Sequence, residues 1–260
     1  MPFAKKSLGQ NFLRCQHTID KIVRSIHPTD TDSLLEIGPG LGAITQHIIR
    51  QVKYLHVVEK DARMLPGLQQ LQQQFPQLNI HHQDILKFEL TQVLTTATPL
   101  RIIGNLPYNI STPILFYLLP HFAQIQDCHF MLQKEVVDRI VAAPGSKSYG
   151  RLSVMLQYHC QPQALFDIAP GAFNPAPKVT SSFLRLRPHQ DIPHPVNDLS
   201  FFEQVVKQAF SQRRKTLHNA LKPLLLHCPT EQLDIDLSVR AEQLSVQAFV
   251  NLSNQLQTLR

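Results

Sequence analysis

The chain has little of what carries a protein into or across a membrane. No run approaches the roughly 18 apolar residues that a span needs. The first residues, Met1-Pro2-Phe3-Ala4-Lys5-Lys6, lead into polar residues and not an apolar h-region. No secretory signal is therefore expected, and a cytoplasmic location is. Cysteine is scarce. Cys15, Cys128, Cys160 and Cys228 lie far apart without a C-x-x-C pair, which argues against a zinc knuckle and against a disulfide scaffold. The 13 histidines include no H-E-x-x-H, and the tightest pair, His81-His82, reads as a surface strand end, so no metal is expected. Glycine is scarce too, with 9 in 260 residues, and three of them are Gly38, Gly40 and Gly42. What remains is 43% apolar and 17% charged, enough to build a packed core and to exclude wholesale disorder. At about 150 residues per domain, the length suits one large domain with a small appendage.

Acidic residues are missing from two stretches. Residues 1–19 carry Lys5, Lys6 and Arg14 with no acid, and between Glu203 and Glu231 stand Lys207, Arg213, Arg214, Lys215 and Lys222 with none. The whole chain is +6. Two local basic surfaces suit a polyanion such as nucleic acid, although a basic run can equally be a solvated face.

Hydrophobic patterning predicts an α/β fold. Apolar strands are expected at 34–37, 54–58, 78–82, 100–103 and 128–132, separated by helical segments such as 43–49 and the stretch ending at Gln74. Strands alternating with helices imply a mostly parallel, doubly wound sheet. After residue 150 the pattern predicts a helix at 151–159 and strands at 163–168 and 180–186, the latter suiting an antiparallel edge hairpin. Pro188, Pro193 and Pro195 mark a linker. Beyond it the pattern is helical only, at 201–211, 214–226, 230–233, 238–244 and 245–259. The expected domains are 1–190, with 1–19 as a basic segment, and 191–260.

The strand at 34–37 runs into Gly-Pro-Gly-Leu-Gly at 38–42 and then a helix. Such a loop lets backbone approach a ligand and presents free helix N–H groups. Glu59, at the end of the second strand, can accept both hydroxyl protons of a ribose. The same loop also fits G-x-G-x-x-A, so a nicotinamide dinucleotide is a rival. Glu36, just before the loop, would repel a pyrophosphate but not a cation. Asp84 ends the third strand and suits an exocyclic adenine amine. Each acid alone can be a helix cap, Asp84 above all. Together they favour a cationic nucleoside without phosphates, S-adenosylmethionine.

Residues 104–113, Gly-Asn-Leu-Pro-Tyr-Asn-Ile-Ser-Thr-Pro, leave the fourth strand and enter a helix, with Thr112 expected as N-cap and Pro113 at N1. An adenine N6 amine is a poor nucleophile because its lone pair is delocalised. Two carbonyl acceptors aimed at its N–H groups, the Asn105 side chain and the Leu106 backbone, favour a pyramidal nitrogen with a directed lone pair. Pro107 stiffens the turn, and Tyr108 offers a face for a flipped base. Attack on a sulfonium methyl then needs position and electrostatics more than a strong base. A second rigid loop, Phe-Asn-Pro-Ala-Pro-Lys-Val at 173–179, places Phe173 as a clamp on the other face of the base or as a buried edge aromatic.

Several of these motifs, with Lys-Lys-Ser-Leu-Gly-Gln-Asn-Phe-Leu at 5–13 and Phe-Ser-Gln-Arg-Arg-Lys-Thr-Leu at 210–217, stand in the order found in one family. The whole chain resembles the bacterial 16S ribosomal RNA adenine N6,N6-dimethyltransferases. The resemblance implies a Rossmann-like class I methyltransferase sheet using S-adenosylmethionine, with a small all-helical C-terminal domain. It implies dimethylation of two adjacent adenosines in the 3′-terminal hairpin of 16S rRNA, by a monomer, within an immature small ribosomal subunit. Cofactor contacts carried over by motif are Asn11, Leu13, Gly38, Glu59, Asp84 and Asn105, with Gln10, Glu36 and Ile85 as neighbours. Asn105, Leu106, Tyr108 and Phe173 would form the base site, and Lys5, Lys6, Arg14, Arg213, Arg214, Lys215 and Lys222 the RNA footprint. Leu8 and Thr180 depart from the family's usual Phe and Asp. The alternatives are a 23S rRNA methyltransferase of the macrolide-resistance type and a non-catalytic RNA-binding assembly factor.

Overall fold

Strands form where apolar residues run uninterrupted, because both faces of a parallel sheet must be covered. The computed structural model describes residues 4–5, 9–94, 98–212, 214–226 and 228–259. In chain order the elements are β1 (Phe12–Leu13), α1 (Gln16–Ile26), β2 (Ser33–Ile37), α2 (Thr45–Ile48), β3 (Tyr54–Glu59), α3 (Leu65–Gln74) and β4 (Leu78–His82). Then follow β5 (Leu100–Asn105), α4 (Ser111–Leu118), β6 (Ile125–Gln133), α5 (Lys134–Ile140), α6 (Arg151–His159), β7 (Cys160–Ile168), β8 (Phe173–Asn174) and β9 (Ser181–Pro188). Last come α7 (Leu199–Ala209), α8 (Leu217–Ala220) and α9 (Val246–Thr258).

The chain divides into two compact units, Met1–Val137 with Gln163–Pro188, and Asp138–Pro162 with His189–Arg260. The helical unit thus takes in residues 138–162, a segment that the sequence reading left with the first domain. Helix α6 lies in that segment, and its Tyr158 ring packs 4.7 Å from Phe202 of α7.

In the first unit the sheet order is β4-β3-β2-β5-β6-β9-β7. Strands β2 to β6 pair in parallel, and β9 runs antiparallel against β6. Leu34, Leu55, Val57, Ile103, Met131 and Phe183 face one core with Ile19, Ile22 and Ile26 of α1. The alternate positions Leu35, Ile102, Phe130 and Leu184 are also fully buried, so both faces are covered. After β2 the chain builds β3 and β4 on one side and then crosses back to place β5 on the other. That reversal opens a crevice at the carboxyl ends of β2 and β5, where such sheets hold ligands.

At the opposite, amino edge sits a buried ion cluster. Arg101 donates from Nε and Nη2 to the two oxygens of Asp127, both at 2.9 Å, and from Nη1 to Asp32 at 2.6 Å. It also donates to the carbonyls of Ile26 and His27, at 2.6 and 3.3 Å, which α1 would otherwise leave unpaired at its C-terminus. Burial by itself would raise the Asp127 carboxyl, but His129 and Arg101 hold it at about 2.

In the second unit α7 and α9 bury Phe202, Val205, Val206, Phe249, Val250 and Leu256. Asp198 and Ser245 cap them by accepting from Phe201 N and Ala248 N, each at 3.1 Å. Regular helix is shorter here than the pattern predicts. Of 214–226 only Leu217–Ala220 is α-helical, and 230–233 and 238–244 reduce to the 3-10 turns Thr230–Gln232 and Ala241–Gln243. The reason is competition for backbone donors. Leu217 N and His218 N donate to the carbonyls of Val239 and Leu237 at 2.8 and 2.9 Å, and Pro223 cannot donate at all. The helix expected at 43–49 is likewise a short one, Thr45–Ile48.

Candidate functional site

The crevice at the ends of β2, β3 and β5 opens into a groove of about 1160 Å³. Its walls include Gln10, Asn11, Leu13, Glu36, Gly38, Glu59, Asp84, Ile85, Asn105, Leu106 and Tyr108. Every residue expected at a cofactor site from the sequence therefore lines one groove within the first unit.

The floor is the glycine loop. Gly38, Gly40 and Gly42 all take positive φ, at 66°, 58° and 75°. At Gly40 a Cβ would come within 3.2 Å of the Phe12 ring, so a side chain there would crowd that ring as well as strain the backbone. Glu59 holds this loop from below. Its Oε2 accepts from Gly40 N at 3.0 Å, and its Oε1 accepts from Asp61 N at 2.7 Å. Each oxygen keeps a further lone pair for a hydroxyl donor. Burial raises the Glu59 carboxyl, against those two N–H donors. Glu36 is more deeply placed, at 2% exposure. It accepts from Thr45 Oγ1 at 2.7 Å, and desolvation pushes its pKa up to about 7. Asp84 is the most open of the three acids. It is paired with Lys60 at 2.8 Å and accepts from Leu86 N at 3.1 Å, so it acts as a cap as well as a wall; Lys60 lowers its pKa. The hydrogen bonds to Glu36 and Glu59 come from neutral donors, and two such buried carboxylates are what a cationic ligand would compensate.

The roof is the segment 9–13, and its anchors were not legible in the sequence. Gln10 Nε2 donates to Asp61 Oδ2 at 2.9 Å, and Arg63 Nε donates to Asp61 Oδ1 at 2.9 Å. Arg63 holds the Asp61 carboxyl far below its ordinary range. Asp61 thus joins the roof to the end of β3. A carboxylate two residues beyond the ribose acid was the only signal available. Strand β1 is fixed further on by pairing with β8, Leu13 opposite Phe173.

The back wall is the turn at 105–108. Gly104 precedes it because a Cβ there would lie 2.7 Å from the Ile37 carbonyl oxygen on the neighbouring strand. Asn105 Nδ2 donates to the Asn11 carbonyl at 2.9 Å. That bond fixes the amide so that Oδ1 remains the acceptor. Leu106 N donates to Met131 O at 3.2 Å, and the Tyr108 ring reaches the groove with its hydroxyl 2.6 Å from Ser181 Oγ. Two expectations fail here. Thr112 is not the N-cap and Pro113 is not at N1: α4 starts at Ser111, two residues before Pro113, and Ile110 at the cap position has no side-chain acceptor, while Ser111 Oγ turns back to donate to Tyr108 O at 3.2 Å. Phe173 is not among the groove residues. It is 5% exposed in the α1-side core beside Leu13 and Ala172, so it serves packing in this structure, not as a clamp.

The charged candidates for RNA contact that are described, Lys5 and Arg14 in the first unit and Arg214, Lys215 and Lys222 in the second, are all exposed. Lys6 and Arg213 lie outside the described residues. His81 is half-buried and not a bare surface position, with its Nε2 3.2 Å from His56 Nδ1. No helix among the described residues is long and apolar enough to cross a membrane.

A family model described as ribosomal RNA adenine dimethylase matches residues 2–258. A ribosomal RNA small subunit methyltransferase A of Pseudomonas fluorescens is 49% identical over 253 residues, 97% of this chain and 94% of the relative. One from Pseudomonas aeruginosa is 48% identical, covering 98% of this chain and 96% of its own. In solved structures, a dimethyladenosine transferase from Plasmodium falciparum has a TM-score of 0.77 at 23% identity, covering 93% of this chain and 95% of that one. The 23S rRNA methyltransferase ErmE has a TM-score of 0.69 at 21% identity, covering 95% and 100%. These two likenesses establish the fold, a class I methyltransferase sheet. The family match over nearly the whole sequence and the two relatives near half identity establish more: this chain belongs to the ribosomal RNA adenine dimethylase family.

Proposed function

We propose that this chain transfers methyl groups from S-adenosylmethionine to N6 of two adjacent adenosines in the 3′-terminal hairpin of 16S rRNA. The observation that carries the reading is the convergence, in one groove, of the buried acids Glu36 and Glu59 with an Asn105 amide whose oxygen is left as acceptor. When bound, S-adenosylmethionine supplies a methyl group on a sulfonium that a nitrogen lone pair can displace. The residues present fit it. Glu59 offers acceptors for ribose hydroxyls, Asp84 and the Ile85 region an edge for adenine, and Glu36 compensation for positive charge. Gly38, Asn11, Leu13 and Gln10 close the groove around it.

Asn105 Oδ1 and the Leu106 carbonyl would accept from the target N6–H groups and draw its lone pair out of the ring. The turn holds them in place without reorganisation, which is where electrostatic catalysis gains most. Tyr108 stacks the base. The methylated nitrogen is acidic and releases its proton to water, so no basic side chain is required. Intact acids and the 105–108 turn disfavour a purely structural assembly factor, and family membership removes the nicotinamide alternative.

The substrate is ribosomal RNA, and the names borne by the relatives near 49% identity favour the small subunit over the large. The finer reading is an immature small subunit as partner, a monomeric enzyme, and a cytoplasmic location. The first unit carries the chemistry, while Arg213, Arg214, Lys215 and Lys222 of the helical unit, with Lys5, Lys6 and Arg14, meet phosphate. A labelled-methyl assay on small subunits lacking the modification, with mapped products, tests this. Label on two adjacent adenosines near the 3′ end is expected. Label on naked 23S rRNA instead would overturn it in favour of the resistance-type activity.

A further inference from the structure

The turn at 105–108 fixes the backbone of Tyr108, since Ile110 N donates to Pro107 O at 3.1 Å and Ser111 Oγ donates to Tyr108 O at 3.2 Å. Neither bond sets the orientation of the ring. That falls to the far end of the side chain, where the phenol meets Ser181 Oγ at 2.6 Å. Ser181 is fully buried at the start of β9. It cannot drift, because it pairs opposite Gln133 of β6 and the neighbouring Thr180 carbonyl accepts from Lys134 N at 2.9 Å. Burial raises the Tyr108 pKa, so the phenol stays protonated and able to donate. Two aromatic residues line the groove, Phe12 against the glycine loop and Tyr108 at the 105–108 turn beside the Asn105 acceptor.

We infer that Ser181 is a positioning residue for methyl transfer, which fixes the direction in which the Tyr108 side chain points and so the place at which the target adenine stacks beside the Asn105 acceptor. The inference rests on the base-site reading above. Stacking position sets the distance and angle between the N6 lone pair and the methyl group, and a free phenol would let the ring swing about the Cα–Cβ bond of Tyr108. Ser181 is not among the residues that line the groove, so donor affinity should not depend on its hydroxyl.

The test is steady-state methylation of unmodified small subunits by Ser181→Ala, Tyr108→Phe, the double variant and Tyr108→Ala, with calorimetric affinity for S-adenosylmethionine. Ser181→Ala and Tyr108→Phe should each lower kcat about 3- to 10-fold, the scale of one lost hydrogen bond. Donor affinity should stay within about twofold, and the double variant should lose no more than either single one, because both remove the same bond. Full kcat in Tyr108→Phe, or losses that multiply in the double variant, would overturn the inference. If Ser181→Ala does not fold, Tyr108→Phe alone decides. Tyr108→Ala should lose far more than Tyr108→Phe; undiminished methylation by Tyr108→Ala would instead overturn the base-site reading itself.

Discussion

Glu36 shows how a site residue can work against the fold that carries it. Its pKa is raised from 4.5 to about 7 by desolvation. Between those values the folded state holds a proton that the unfolded chain has released, so stability falls as pH rises through the window. The loss is about 3 kcal/mol once pH exceeds both values. Glu36→Gln keeps an acceptor for Thr45 and abolishes the ionisation. Thermal unfolding should show the variant more stable than wild type at pH 8 and equal to it at pH 4.5. A cationic ligand favours the ionised form, so wild-type affinity for S-adenosylmethionine should weaken as pH falls below about 7. Calorimetry on Glu36→Gln should find weaker binding with that pH dependence gone. Equal affinity at pH 8 would remove Glu36 from charge compensation. Glu36, Gly38, Glu59, Asp84 and Asn105 were legible because each stands at a strand end or in the glycine cluster of a glycine-poor chain, whereas Gln10, Asn11 and Leu13 came from the family resemblance of the 5–13 motif. Asp61 and Ser181 were not, since each acts through a partner 51 or 73 residues away in sequence. Phe173 was left between two readings for a related reason: an aromatic beside prolines looks the same whether it faces a ligand or, as here, packs beside Leu13.

Among elements, α1 has a role that its amphipathic pattern does not disclose. It covers one core face and follows directly on the roof segment 9–13, while its last carbonyls are held by Arg101 at the other end of the sheet. Arg101→Ala would leave Asp32 and Asp127 buried without their cation, a change that costs about 3–5 kcal/mol in comparable pairs. Denaturant unfolding should show a loss of that order, with donor binding retained at low temperature by the fraction that is folded. A loss under about 1 kcal/mol would mean that the cluster is solvated and not structural. The strands β2 to β5 were read to within two residues from their apolar positions, but β6 and β7 begin three residues earlier than expected and the short pair β1 and β8 was not read, because two residues carry no pattern. The helices of the second unit were over-read, because periodicity records which residues are apolar and not where the backbone donors go. At 217–218 those donors cross to 237 and 239.

For the molecule as a whole, positive charge is divided between the two units while the groove belongs to one. The account assigns chemistry to the first unit and much of the phosphate contact to the second. Neutralising Arg213, Arg214 and Lys215 together should make the dependence of log affinity on log salt shallower by roughly 2 to 3, if each meets one phosphate. Filter binding to small subunits over a salt series measures it. An unchanged slope would move the footprint elsewhere, and the residual slope would then report Lys5, Lys6 and Arg14. The division at 138–162 was invisible in composition, because α6 reads as one more crossover helix; its packing on α7, with the Tyr158–Phe202 ring pair, and the Val196 N bond to Tyr158 OH show where it belongs.

The central claim is that the Asn105 amide, oriented by the Asn11 carbonyl, promotes transfer by far more than its contact with the donor accounts for. Asn105→Ala should be compared with wild type by single-turnover methylation of unmodified small subunits and, on the same preparations, by calorimetric binding of S-adenosylmethionine. The account predicts transfer slowed by about 100-fold or more, the scale of a lost preorganised polar contact, with binding weakened by no more than about tenfold. Transfer at the wild-type rate, or a fall in rate fully explained by lost donor binding, would contradict it.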